Sequence, residues 1–152
     1  MADVFGTPPK PGLSELLLSK CSLRDAIYRV GETNTYVMPA GVAKANPHHL
    51  VHSDLIEQLL TRLKQEFETI VIDTPPILGA SESLVFAKAA DVVVFCSLRD
   101  VSRARQVHVA VERLEHAGAK LAGAVLGGMP VNHYAYSYGY YGNRGDLTAN
   151  HG

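Results

Sequence analysis

Apolar positions along this chain switch between a helical and a strand period. Leu50, Leu55, Leu59 and Leu63 recur near one helical face. Asn46-Pro47 ahead of them reads as an N-cap followed by proline at the first helical position, so the expected helix runs to about Glu66. Ile70-Val71-Ile72 is a short β-branched run, expected as a strand buried on both faces. Ser81 to Ala89 reads as a helix with Glu82 placed favourably in its first turn. Asp91 to Ser97 holds Val92-Val93-Val94-Phe95-Cys96, a second buried strand. Ser102 to Ala117 is an amphipathic helix ended by Gly118, and Lys120 to Leu126 is a last strand. Strand, helix, strand, helix, strand predicts an α/β fold with right-handed crossovers and a parallel sheet flanked by helices.

The two ends differ from this middle. Residues 1–12 are rich in Pro and Gly and read as a loop. Leu13 to Ser19 is a short helix, and Ser22 caps a second one through about Tyr28. Thr35 to Met38, closed by Pro39 and Gly41, is a short strand and turn. At the other end Tyr134, Tyr136, Tyr138, Tyr140 and Tyr141 are interleaved with Ala, Ser and Gly. That composition predicts a flexible low-complexity tail over 131–152, attached to a domain over 1–130. No internal repeat is present.

Composition narrows the field. The 152 residues fit one domain, 47% hydrophobic and 19% charged, with a formal net charge of −1. No global basic field points to nucleic acid or to an anionic membrane surface. Cys21 and Cys96 match no metal spacing, and Cys96 is expected as a small buried hydrophobe. No basic-then-apolar leader pattern opens the sequence, and no run is long enough to span a bilayer. A reducing, cytoplasmic compartment is the expectation, with any membrane link supplied by a partner.

The sharpest chemical signal is Asp73. It stands at the carboxyl end of an apolar strand, and Pro75 and Pro76 end that strand at once. Carboxyl ends of strands in open α/β sheets are where ligands bind. A carboxylate fixed there by a rigid turn suits Mg²⁺ beside a nucleotide phosphate, as in the Walker B motif that it resembles. The competing reading is an aspartate capping a turn. Arg99, Arg103 and Arg105 fit either the phosphate rim or a solvated helix face. His48 and His52 have metal-compatible spacing without a third ligand, and Ser81 and Ser83 lack a hydrolase pattern.

Several segments together resemble one family. These are Pro11-Gly12-Leu13-Ser14, Leu-Pro-Ala-Gly-like Met38-Pro39-Ala40-Gly41, Asn46-Pro47 and Ile72-Asp73-Thr74-Pro75-Pro76. Gly123-Ala124-Val125-Leu126 and the tyrosine cluster follow in the same order. The order is similar to the cytoplasmic domain of the bacterial tyrosine kinases (BY-kinases) of the capsular exopolysaccharide family. The resemblance implies a MinD/ParA-like P-loop fold that transfers phosphate from ATP to its own tyrosines. Asp73 would be the Mg²⁺ ligand and catalytic-site carboxylate, with Thr74, Pro75 and Pro76 shaping the cofactor turn. Tyr134, Tyr136, Tyr138, Tyr140 and Tyr141 would be the phosphoacceptors. The implied partner is a membrane protein of the polysaccharide co-polymerase type.

The sequence also departs from that family. No Gly-x-x-x-x-Gly-Lys-Ser/Thr loop occurs in the 152 residues, so the phosphates lack their nest of backbone amides. The family's second aspartate motif, expected upstream, is absent too. Glu82 stands near a usual aspartate, and Gly127 where the family has asparagine. The expectation is therefore a C-terminal portion of a kinase, missing the P-loop strand from its sheet. It would pair its open strands with another copy or a complementing kinase chain. Two other readings stay open: a regulatory or phosphoacceptor module phosphorylated in trans, and a relic of a MinD/ParA-like ATPase.

Overall fold

A computed structural model of the protein describes residues 2–42 and 50–128. The alternating pattern of the apolar runs becomes a mixed α/β fold with helices laid against a small parallel sheet. Helix α1 spans Ala2–Phe5 and α2 spans Leu13–Leu17. Strands β1 (Tyr28–Arg29) and β2 (Tyr36–Val37) pair antiparallel as a hairpin, Tyr28 opposite Val37. Helix α3 (Ser53–Glu66) and helix α4 (Glu82–Ala89) precede β3 (Val93–Leu98). Helix α5 (Ala104–His116) then crosses over to β4 (Leu121–Gly127). Strands β3 and β4 are parallel, with Val94 opposite Gly123 and Leu98 opposite Gly127, after an irregularity between Val93 and Val94.

The core centres on α3. Ile56, Leu60 and Leu63 are its buried stripe, spaced to share one helical face. Ile70, Ile72, Val85, Phe86 and Ala89 pack against them. The expected stripe was offset. Leu55 is 41% exposed, because it lies about 100° around the helix from Ile56. The helix also starts later than expected, at Ser53 after an extended His52; Asn46 and Pro47 lie outside the described residues. Lys64 Nζ reaches Asp91 at 2.7 Å and ties the end of α3 to the start of β3. That contact holds the Asp91 carboxyl below its ordinary range, through the hydrogen bond first and the lysine charge second.

Three further expectations are corrected. The Ile70–Ile72 run forms no strand pairing among the described residues, and Val71 is 88% exposed. A doubly buried strand needs a neighbour on each edge and a layer on each face, and here only the helical face is covered. The helix expected over Ser22–Tyr28 is a turn. The Asp25 carboxylate accepts the Ser22 N–H at 3.0 Å and its hydroxyl at 2.6 Å, and β1 pairing takes the chain from Tyr28 onward. Cys96 is exposed rather than buried, for the same reason as Val71: alternate residues of β3 face an open side.

The N-terminal segment is locked to the turn after β2. Leu13 N–H donates to the Pro39 carbonyl at 2.8 Å and Ser14 N–H to that of Ala40 at 2.9 Å. Gly12 lies so close beneath Pro39 that a Cβ would collide with its carbonyl. Glu15 closes the clasp as a capping-box residue: its carboxylate accepts the Gly12 N–H at 2.9 Å and the Val42 N–H at 3.0 Å. Partial burial opposes the charged form, but the amides of Val42 and Gly12 outweigh it and hold the carboxyl below the usual value of 4.5. A depressed folded value means the stabilisation is present above the unfolded value and is lost as pH falls through the folded one. Glu15→Gln is therefore expected to lower the melting temperature at pH 7. That deficit should shrink steadily below pH 4.5, read by thermal melts across pH; a pH-independent deficit would contradict the charge argument.

Candidate functional site

Helix α3 ends where Phe67 N–H closes onto the Leu63 carbonyl at 2.9 Å and its backbone turns extended. The Phe67 ring meets Tyr36 edge-on, 5.3 Å between centroids, and so ties the hairpin to the start of the extended segment. Ile70 and Ile72 then point into the core while Val71 and Asp73 point out. Asp73, Thr74, Pro75 and Pro76 are all exposed at the carboxyl end of this segment.

The turn after Asp73 is pinned from below. Gly79 N–H and Ala80 N–H both donate to the Pro76 carbonyl, at 2.9 and 3.2 Å. Ser83, 1% exposed, donates its hydroxyl to the Pro75 carbonyl at 2.9 Å. The sequence offers no hydrolase role for Ser83, and the structure gives it a positioning one: it joins α4 to the proline turn. Nothing in the local pattern marks it out, because its partner is a backbone carbonyl eight residues away.

Strand β3 ends at Leu98. Arg99 N–H donates to the Gly127 carbonyl at 3.0 Å, and the Arg99 guanidinium lies 3.3 Å from the Asp100 carboxylate. Leu98 N–H is taken by the Ser102 hydroxyl at 3.0 Å. Arg103 and Arg105 come together with Leu78, Gln106 and Val109 around a cavity of about 350 Å³. Leu78 follows the proline turn, so this hollow lies between that turn and the first turn of α5. At Gly127 a Cβ would stand 3.3 Å from Leu98 Cδ1, leaving little room for the asparagine that the family resemblance leads one to expect.

Among the described residues no group of three or more His, Cys, Asp or Glu is placed to hold a metal. A single exposed carboxylate still suits Mg²⁺, which takes one or two carboxylates and completes its shell with water and phosphate oxygens. Asp73 is such a carboxylate and would supply one ligand. His52 lies at the N-cap of α3; His48 and the tyrosines 134, 136, 138, 140 and 141 lie outside the described residues. His108 pairs with Glu112 at 3.2 Å, one helical turn away.

The fold matches the solved kinase domains of bacterial tyrosine kinases. The kinase domain of the Escherichia coli tyrosine kinase Etk superposes with a TM-score of 0.80 at 26% identity, covering 99% of this chain and 55% of that one. The chimerical protein CapA2B2 superposes with a TM-score of 0.79 at 30% identity, over 86% of this chain and 57% of that one. The chain is homologous to the bacterial tyrosine kinases and corresponds to part of their kinase domain. In sequence, it is 32% identical over 139 residues to CapB of Staphylococcus aureus, covering 91% of this chain and 61% of CapB. It is 30% identical over 138 residues to the tyrosine-protein kinase Etk of Escherichia coli K12, covering 91% of this chain and 19% of Etk. The chain thus spans less than two thirds of the relatives it matches. No family model matches the sequence.

Removing the hydroxyl that pins the turn tests the local architecture. Ser83→Ala leaves the Pro75 carbonyl without its protein donor, so a stability loss of about 1 kcal/mol is expected from urea unfolding. No change in midpoint would show that the bond does not hold the turn.

Proposed function

We propose that this chain contributes the Asp73-bearing part of an ATP-dependent protein-tyrosine kinase of capsular or exopolysaccharide synthesis and export. The observation that carries this reading is the match of 99% of the chain to the Etk kinase domain, with Asp73 exposed after the Ile70–Ile72 run. Asp73 would hold Mg²⁺ against the nucleotide, and Thr74, Pro75 and Pro76 would keep that carboxylate at the rim. Magnesium would neutralise phosphate charge during transfer. The residues here do not form a phosphate nest by themselves, so ATP binding requires further groups from a complementing kinase chain or a second copy. Catalysis by this chain alone is not expected.

The tyrosines 134, 136, 138, 140 and 141 are the proposed phosphoacceptors. Each phosphate adds about −1.5 to −2 charges, enough to push neighbouring subunits apart. No helix among the described residues is long and apolar enough to cross a membrane. A cytoplasmic site is proposed, reached through a membrane partner of the polysaccharide co-polymerase type, with no role for nucleic acid. The solitary position of Asp73 favours one second reading, a phosphoacceptor module acted on in trans by a complete kinase.

Incubation with radiolabelled ATP and Mg²⁺ tests both. The chain alone should incorporate no phosphate, and addition of intact Etk kinase domain should label it. Replacing the five tail tyrosines with phenylalanine should remove that label. Labelling of the chain alone would overturn the proposed dependence on outside groups, and labelling that survives the five substitutions would overturn the acceptor assignment.

A further inference from the structure

The hollow beside the proline turn holds two cations that the fold itself does not use. Leu78 forms one wall, and Arg103, Arg105, Gln106 and Val109 form the other. Backbone bonds hold both walls. On the first side Gly79 and Ala80 donate to the Pro76 carbonyl. On the second, Ser102 N–H donates to the Leu98 carbonyl at 2.8 Å and Gln106 N–H to that of Arg103 at 2.9 Å. The walls are therefore set before any occupant arrives.

The chemistry of the hollow is mixed. Leu78, Val109 and the methylene stems of the arginines offer apolar surface. Arg103 and Arg105 are exposed, and among the described residues neither makes an ion pair. Arg99, by contrast, is paired with Asp100. Guanidinium forks bind phosphate oxygens through paired N–H groups, and their planes stack on aromatic rings. An apolar wall beneath two such forks suits an aromatic ring that carries a phosphate. The volume of about 350 Å³ stands at the low end of small-ligand pockets, about 300 to 1,000 Å³, and suits one side chain better than a nucleotide.

The chain carries candidate groups within reach. The Gly127 carbonyl accepts the Arg99 N–H at 3.0 Å, and a Cβ on Gly128 would stand 3.3 Å from Leu98 Cδ1. The end of β4 therefore lies beside Leu98. From Leu98 to Arg103 is five residues, at most about 18 Å of chain. Tyr134 follows Gly128 by six residues and Tyr141 by thirteen, which allow spans of up to about 20 and 45 Å.

We propose that this hollow binds a phosphotyrosine of the chain's own tail, with the ring against Leu78 and Val109 and the phosphate oxygens on Arg103 and Arg105. Phosphorylation of the tail is the functional reading above, and the identity of the occupant rests on it. A shallow site holds free phosphotyrosine only at about millimolar concentration. A short tether supplies an effective concentration of the same order, so the site fills in cis without high affinity. The two arginines offset the charge of one phosphate. One phosphotyrosine per chain is thereby neutralised, and any others keep their full repulsion.

The first arm of the test needs no kinase. O-phospho-L-tyrosine is titrated into the full chain while the amides of Leu78 and of residues 103–109 are followed by NMR. Saturable shifts are expected, and responses to tyrosine, inorganic phosphate and ADP should be at least about tenfold weaker. Replacing both arginines, Arg103→Gln and Arg105→Gln, should abolish the shifts at an unchanged melting temperature. Arg113→Gln, on the same helix, should keep them. An equal response to tyrosine or inorganic phosphate, a stronger one to ADP, or shifts that survive the double substitution would each overturn the site. In the second arm the chain is first phosphorylated by the intact Etk kinase domain. The same amides should then be shifted at every chain concentration. Shifts that grow with concentration would hand the tail to a second copy and overturn binding in cis, as would a labelled tail that leaves these amides unmoved. A chain that the kinase does not label, but that binds free phosphotyrosine, would refute the functional reading and this occupant while the aryl-phosphate site stands.

Discussion

Ile70 and Ile72 keep their stretch of backbone in place through side chains alone. In the interior of a parallel sheet a strand is held twice, by packing of its faces and by hydrogen bonds along its edges. Here the first half of that arrangement survives. The two isoleucines press onto Ile56, Leu60 and Leu63, and this contact sets where the backbone beyond them comes to the surface. The position of Asp73 and the course of the proline turn follow from it. Ser83 and the Tyr36–Phe67 ring contact brace the same segment at its two ends. Neither is a strand ladder, so among the described residues the segment has a defined path without belonging to a sheet.

Elements whose signals are local were legible in the sequence. Helix α4 begins after Ser81 as expected, α5 stops before Gly118 with its φ of +79°, and β3 and β4 fall within two residues of their apolar runs. The errors share a cause. Leu55, Val71 and Cys96 were assigned to the interior from their own apolarity, yet interior position depends on what lies opposite. A run such as Val92 to Cys96 describes a strand that wants cover on both faces, and the described residues give cover on one. The turn at Ser22 failed differently. Ser22 and Asp25 form the reciprocal cap that the signal announces, but β1 pairing takes the chain at Tyr28 before a helix can follow.

The candidate site was partly readable for the same reasons. A carboxylate after an apolar run and before two prolines is a pattern in consecutive residues, and Asp73 is exposed where that run ends. The hollow between Leu78 and the arginines 103 and 105 brings together residues 25 or more positions apart, which no spacing rule announces. The homology to bacterial tyrosine kinases gives these features a shared setting, within which one part of the domain presents its carboxylate, its proline turn and its open sheet side together.

The hydroxyl of Ser102 on the Leu98 amide has a consequence for length. Beyond Cys96 that edge of β3 is closed by its own chain, and Asp100, at a φ of +62°, turns the backbone off the strand path. That edge of β3 is therefore short and has a built-in stop. It discourages the open-ended stacking by which unguarded strands grow into fibrils, and so separates measured pairing from runaway aggregation.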